Sequence, residues 1–102
     1  MHKIEVEMVD AVVNGHSWCG GNTMVVESGG KYSVYLHGNC IAHRREGYSP
    51  DRINLCGWNT ATTRSRLNAL GVHVTSRNST PYVGERKIGA SGWFLAPRIR
   101  LY

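Results

Sequence analysis

The chain has 102 residues, of which 41% are hydrophobic, and its twelve Lys and Arg against seven Asp and Glu give a net charge of +5. This length fits one compact domain over residues 1–102 with a modest core, and the ordinary apolar content excludes a disordered tail. We expect neither a membrane-spanning helix, which needs about 20 apolar residues, nor a secretory leader, because the charged start lacks an apolar stretch.

The first half of the chain predicts one helix followed by a meander of antiparallel strands. The helical spacing of Met8 and Val12 favours a helix over about residues 5–13, ended by Asn14-Gly15. Strands are then predicted over residues 23–27, 32–37, 40–44 and 52–56, with turns or loops at residues 28–31, 38–39 and 46–51.

The central hairpin of this meander is predicted to turn at Gly38-Asn39, because both residues tolerate a positive φ. A turn at this position fixes which residues of the two strands lie opposite each other. The predicted pairs are Val34 with His43, Leu36 with Ile41, and His37 with Cys40. Val34, Leu36 and Ile41 then share the core face of the sheet.

The second half predicts a helix over about residues 61–70, capped by Asn59 or Thr60, with Leu67 and Leu70 facing the core and Gly71 ending it. The tail is strand-like at residues 72–75, 82–83 and 93–95, with a polar turn at residues 77–80. Together these elements predict an α+β fold, a small antiparallel four-stranded β-meander with one or two short helices packed on one face.

The positive charge is concentrated in the second half. Residues 1–51 have a balance of −2, whereas residues 52–102 have +7, and seven of the eight cations there are Arg. The planar fork of arginine suits bidentate contacts with phosphate or carboxylate. This half therefore indicates either an anionic partner or a solvated basic surface.

Residues 58–68 read WNTATTRSRLN. This segment resembles the motif Trp-Asn-Thr-x-Thr-Thr-Arg-x-Arg-Leu-Asn of a family of small tailed-bacteriophage proteins. The members similarly have a strand that ends in His-Gly-Asn, as at residues 37–39, and Gly21-Asn22-Thr23 resembles their entry into the first strand. The resemblance spans most of residues 20–76. It implies a viral origin and an accessory role, in the cytoplasm of the infected bacterium, and it implies no particular activity.

The same segment combines several features that bind anions. A helix N-terminus offers unpaired N–H groups and a partial positive charge, and hydroxyl and guanidinium groups lie beside it here. The candidate ligand-binding residues are Trp58, Thr60, Thr62, Thr63, Arg64 and Arg66. In the simpler interpretation the threonines only cap the helix or face water, and Arg64 and Arg66, about 200° apart on it, are both exposed. Trp58 fits two roles: it stacks a base or, as is more common, packs the helix on the sheet.

The cysteines and histidines allow a weaker metal hypothesis. An odd number of cysteines is typical of free thiols in a reducing compartment. His37, Cys40 and His43 have an H-x2-C-x2-H spacing that, with Cys19 and Cys56, suggests zinc. Strand alternation separates these side chains and the sequence has no C-x2-C pair. We therefore expect three free thiols, no metal and no cofactor.

Catalytic groups have even less support in the sequence. A thiolate activated by pairing of His37 with Cys40 lacks an orienting third group at a recognisable spacing. Glu5 and Glu7 are the one close pair of carboxylates, and they lie near an N-terminus expected to fray. We therefore expect no catalytic residues and a protein that is not an enzyme.

These observations lead to one functional hypothesis and two alternatives. We expect a small phage accessory protein, a class that often acts against host defence, to bind a phosphate-rich anion such as a nucleotide signal, as a homo-oligomer and without contact with a membrane. The alternatives are a nucleic-acid-binding module that uses the Arg-rich half and an inhibitor that binds a host defence protein.

Overall fold

The structure is a computed structural model that describes residues 2–45 and 50–96. Within these ranges it contains two helices, α1 (Lys3–Asn14) and α2 (Ala61–Ala69), and nine strands. The strands are β1 (Trp18–Gly20), β2 (Thr23–Ser28), β3 (Lys31–Leu36), β4 (Asn39–Arg45), β5 (Arg52–Ile53), β6 (Val74–Arg77), β7 (Thr80–Val83), β8 (Arg86–Lys87) and β9 (Phe94–Leu95).

The strands form two antiparallel sheets. In the described part of the chain, the larger sheet has six strands in the order β1-β2-β3-β4-β5-β9, and the smaller has the order β6-β7-β8. The predicted α+β fold with a β-meander is confirmed, and both helices form where the sequence predicts them. The meander is longer than predicted, because β1 precedes it and β9 returns to pair with β5.

The strands predicted over residues 52–56 and 72–75 have clearly different bounds in the structure. The strand predicted over residues 52–56 ends at Ile53, because Cys56 and Gly57 form a turn in which both have positive φ. The strand predicted from residue 72 begins at Val74. The predicted loop at residues 46–51 lies mostly outside the described residues, which resume at Pro50.

The central hairpin turns one residue earlier than predicted. His37 and Gly38 have φ of 52° and 81°, and β4 begins at Asn39. The three predicted pairs are therefore wrong. The observed partners are Leu36 with Asn39, Tyr35 with Cys40, Val34 with Ala42 and Ser33 with His43.

A β-bulge in β4 keeps Ile41 on the core side of the sheet despite the changed register. The pairing shifts between Val34 and Tyr35, so that Ile41 is an extra residue on β4. Ile41 and Ala42 are consecutive and both are buried, as are Val34 and Leu36. The prediction that Val34, Leu36 and Ile41 face the core is thus confirmed, although the pairs that led to it are not.

The core lies between one face of the larger sheet and the two helices. Helix α1 packs on β1 and β2, and α2 contacts α1, β4 and β6. Leu67 and Leu70 are fully buried, as the helical spacing predicts. The other face of the larger sheet has neither helix on it, and Met24 and Val26 of β2 are exposed there. We call this side of the larger sheet the open face.

Candidate ligand-binding cleft

A cleft of about 560 Å³ lies where the β3–β4 turn, residues 55–58 and the start of α2 meet. Its apolar lining is Leu36, Ile41 and Leu55, all of them buried side chains of the core. Its polar lining comes from the surrounding segments and consists of His37, Asn39, Cys56, Thr60, Thr62 and Thr63, with Trp58 beside them. The volume falls in the range of small-molecule sites, roughly 300–1,000 Å³.

Two turns of the same kind border this cleft. His37-Gly38 and Cys56-Gly57 each place a non-glycine residue and then a glycine at positive φ, with values of 52° and 81° and of 55° and 81°. Positive φ at His37 and Cys56 is unfavourable for L-residues and is held here by the surrounding structure. Neither residue was predicted to line a site, although each is part of an X-Gly pair, which is a usable turn signal.

The second turn presents Trp58 to solvent. The Trp58 N–H donates to the Leu55 carbonyl oxygen at 2.8 Å and closes the turn, and the Gly57 N–H donates to the Ala90 oxygen at 2.6 Å. The Trp58 side chain is 61% exposed while lining the cleft. The expectation that Trp58 packs the helix on the sheet is therefore wrong.

The start of α2 forms one wall of the cleft. The Thr60 Oγ1 accepts a hydrogen bond from the Thr63 N–H at 3.2 Å, so Thr60 is the N-cap, one of the two predicted candidates. Thr63 is buried and its hydroxyl lies 3.0 Å from that of Thr60. Thr62 is exposed. The N–H groups of Ala61 and Thr62 belong to the first turn, which has no intrahelical acceptor.

Arg64 lies outside the cleft lining. Its Nη1 donates to the Asn59 carbonyl oxygen at 3.0 Å and to the Asn59 Oδ1 at 2.6 Å. These bonds fold the guanidinium back along the segment that precedes the helix. The structure therefore places Arg64 away from the threonines with which the sequence analysis grouped it.

Arg66 is buried, so the expectation of an exposed Arg66 is wrong. Its side chain is 7% exposed and its Nη1 donates to the Glu5 Oε2 at 2.7 Å, while its Nε donates to the Thr23 Oγ1 at 3.0 Å. The physical reason is a partner 61 residues away, since Glu5 shares the apolar face of α1 with Met8 and Val12. This spacing of Glu5 is the sequence signal that was missed.

Glu5 is an ordered part of the core and not part of a frayed end. It is 2% exposed and its Oε2 also accepts a hydrogen bond from the Ser65 Oγ at 2.5 Å. Burial by itself raises the pKa of this carboxyl, but the hydrogen bonds from Ser65 and Arg66 outweigh it and the net pKa is lowered. Glu5 is therefore ionised in the folded protein at neutral pH.

The comparison with protein families decides the origin of the chain. A family model described as Kyanoviridae Gp96 protein matches residues 1–96. The chain belongs to this family. Because it is a family of tailed phages, the predicted resemblance to phage proteins is confirmed. No curated protein and no solved structure was found to match the chain.

The thiols of this Gp96-family chain are all free. Cys19 is exposed, whereas Cys40 and Cys56 are half-buried. Burial raises the pKa of the Cys56 thiol, and burial is also the main cause of a raised pKa at Cys40. The Cys56 Sγ–H donates to the Cys40 carbonyl oxygen at 3.2 Å. Both groups are thus protonated thiols at neutral pH.

The Gp96-family chain does not bring the suggested zinc ligands together. His37 lies in the hairpin turn, and Cys40 is opposite Tyr35 rather than His37. His43 binds the Tyr32 carbonyl oxygen through its Nδ1 at 3.1 Å. Across residues 2–45 and 50–96, no group of three His, Cys, Asp or Glu is placed to hold a metal ion. In the same ranges no helix is long and apolar enough to cross a membrane.

Proposed function

We propose that this Gp96-family protein is a non-enzymatic phage accessory protein that binds a nucleotide in the cleft. The base stacks on Trp58 and the phosphate lies at the first turn of α2. The observation that carries the proposal is a 61% exposed tryptophan at a partly apolar cleft of ligand size.

The Trp58 ring supplies the recognition of the base. An exposed tryptophan keeps a large apolar ring in contact with water. A ligand that stacks on the ring removes it from water, and this burial favours binding. Base–aromatic stacking is worth about 1–3 kcal/mol per base and depends little on which base is present. The buried side chains of Ile41 and Leu55 form the apolar floor of the cleft.

The start of α2 supplies the recognition of a phosphate. The first-turn N–H groups and the exposed Thr62 hydroxyl are donors beside the cleft, and the helix adds a partial positive charge. Arg64 and Arg66, candidates in the sequence analysis, are removed from the proposed site because Asn59 and Glu5 hold them. The cleft lining described above contains no Lys or Arg. A ligand with one or two phosphate charges therefore fits better than a phosphate-rich one.

The chemistry of the cleft supports binding rather than catalysis. Cys56 is the strongest nucleophile in its lining, and burial raises the pKa of this thiol. A thiol is weakly nucleophilic until it is deprotonated. Among the described residues, the lining also contains no carboxylate. We therefore propose that a bound nucleotide is held and not cleaved.

Family membership suggests how such binding serves the virus. A phage accessory protein that holds a nucleotide signal withdraws it from the defence of the host. The proposed role is thus sequestration of the nucleotide in the infected cell. Native mass spectrometry measures the oligomeric state of the protein directly. The same measurement detects a nucleotide retained through purification.

Thermal unfolding with a panel of linear and cyclic mononucleotides and dinucleotides tests the proposal. A ligand at about 100 times its Kd adds about 2.7 kcal/mol of stability, which raises the Tm of a domain of this size by roughly 10 °C or more. We expect Trp58→Ala to abolish the shift. Val6→Ala is the control, because Val6 is an exposed apolar residue (54%) that does not line the cleft.

Thr62→Ala tests the phosphate position separately. We expect it to weaken binding of nucleotides while leaving nucleosides unaffected, since only the former carry the phosphate. An unchanged Tm with every nucleotide, or equal effects of the Trp58 and Val6 substitutions on the shift, would contradict the proposed function.

A further inference from the structure

The open face of the larger sheet presents two rows of side chains that cross the strands. Its central row runs across five strands, from β2 through β3, β4 and β5 to β9, and consists of Val26, Ser33, His43, Arg52 and Leu95. A neighbouring row on the same face consists of Cys19, Met24, Tyr35 and Cys40. The central row spans roughly 19 Å at the usual strand spacing.

This face has cations but no described carboxylate. Arg52 and, by alternation along β3, Lys31 lie on it, and both are exposed. The described acidic residues lie elsewhere: on α1, on the covered side of the sheet at Glu27 and Asp51, and in the β7–β8 turn at Glu85. Within the described residues, Arg52 forms no ion pair. The open face is therefore complementary to an anion.

A concavity on the open face has a tryptophan at its border. It is about 240 Å³ in volume and is lined by Ser33, Cys40, His43, Arg52 and Trp93. This volume is below that of sites for whole small molecules, and it suits a single planar group. Trp93 is 48% exposed, so a base is able to lie against its ring with the Arg52 guanidinium beside it.

His43 lies in this concavity with two polar neighbours on β3. Its Nδ1 is 3.1 Å from the Tyr32 carbonyl oxygen and 3.1 Å from the Ser33 Oγ. The His43 ring is exposed and lines the concavity, so it is available to a ligand there.

From these placements we propose that the open face binds single-stranded nucleic acid, with one base at Trp93 and the phosphate backbone along Arg52 and Lys31. A four-stranded sheet that presents aromatic side chains on an open face accommodates two or three unstacked bases. The cations contact the phosphate backbone and the aromatic ring stacks a base, so binding should depend little on the nucleotide sequence. This site is separate from the nucleotide cleft and does not depend on it.

Fluorescence anisotropy with labelled single-stranded DNA and RNA 12-mers and with a DNA duplex tests the proposal. We expect the single strands to bind more tightly than the duplex, because paired bases cannot stack on Trp93. Trp93→Ala should weaken binding by about 5- to 100-fold, as loss of one stacked base does. Arg52→Ala should lower the slope of log K against log salt by about 0.7, as loss of one phosphate contact does.

The matched control for Arg52→Ala is Arg77→Ala. It removes an exposed cation of the smaller sheet and should leave oligonucleotide binding unchanged. Unchanged melting temperatures of all variants show that they are folded. The proposal is overturned if no oligonucleotide binds, if the duplex binds as tightly as the single strands, or if Arg77→Ala and Arg52→Ala have equal effects. Absence of oligonucleotide binding, with a protein bound to this face instead, would also overturn it.

Discussion

Substitution of Arg66 by Ala removes one partner of an ion pair that is almost completely buried. Arg66 and Glu5 are 7% and 2% exposed, and the Arg66 Nη1 to Glu5 Oε2 distance is 2.7 Å. In Arg66→Ala the Glu5 carboxylate keeps the Ser65 hydroxyl but loses its only charged partner among the described residues. The hydrogen bond from the Arg66 Nε to the Thr23 Oγ1 is lost as well.

The expected loss of stability is large. Removing one partner of a buried ion pair costs about 3–5 kcal/mol, because an uncompensated charge stays in the interior. For a domain of this size that loss lowers the Tm by roughly 12 °C or more. The matched control is Arg77→Ala, because Arg77 and Glu85 form an exposed pair with a distance of 3.4 Å. An exposed pair contributes about 0–1 kcal/mol.

The pH dependence gives the same test a second readout. In the native protein the pKa of Glu5 is lowered, so its stabilising contribution is present above the unfolded pKa of about 4.3 and is lost as the pH falls through the lower folded value. In Arg66→Ala we expect burial to outweigh the remaining hydrogen bonds from Ser65 and His2, so that the pKa of Glu5 rises above the unfolded value. The deficit of the variant should therefore be greatest at pH 7 and shrink as the pH falls towards the unfolded pKa.

Urea unfolding at pH 7 and pH 5 measures both effects. Adding Glu5→Gln to Arg66→Ala removes the orphaned charge, and we expect it to restore about half of the lost stability or more. The reasoning is refuted if Arg66→Ala is no more destabilising than Arg77→Ala, or if its deficit does not change between the two pH values.

Three further predictions concern the core, the helix cap and the thiols. Leu67→Ala should destabilise by about 2–5 kcal/mol, because Leu67 is fully buried between helix and sheet, and a loss below about 1 kcal/mol in urea unfolding would contradict this packing. Thr60→Ala should destabilise by about 0.5–2 kcal/mol through loss of the N-cap bond to the Thr63 N–H, whereas the exposed Thr62→Ala should change the free energy of unfolding little. Thiol titration should find three reactive groups in denaturant without reductant. In the native protein Cys19 should react first, because burial raises the pKa of both Cys40 and Cys56. Faster reaction of Cys56 than of Cys19 would argue against the half-buried environment of Cys56.

The elements that depend on local signals were predictable from the sequence. Helix α2 has its cap at Thr60 and its apolar residues three apart at Leu67 and Leu70, and the structure has all of these. Helix α1 is ended by Gly15 with a left-handed conformation. In each case the determining residues lie within a few positions of one another, so the pattern contains the whole cause.

The features that failed depend on distant partners or on a single extra residue. Arg66 is buried because Glu5 of another helix meets it, and neither residue alone reveals this contact. The hairpin register changed because His37 adopts positive φ and Ile41 forms a bulge. Of the candidate site residues, Trp58, Thr60, Thr62 and Thr63 meet at the cleft, whereas the two arginines bind other partners; that the four bind a ligand stays a prediction.

Because β9 pairs with β5 over only two residues, this edge of the open face should be locally less stable than the central strands. Strand β3 has neighbours on both sides over its whole length, whereas β9 is held by two residue pairs, the Ala96 N–H to Asp51 oxygen bond of 2.9 Å and an Arg86 bond to the Leu95 oxygen. Local opening of so short a strand requires far less free energy than global unfolding. Its amides should exchange with deuterium long before those of β3, and the exposed residues 89–93 that precede it should be the first site of proteolytic nicking. Nucleic acid that contacts both Arg52 and Trp93 would hold β9 against β5. Binding should therefore slow the deuterium exchange of the β9 amides.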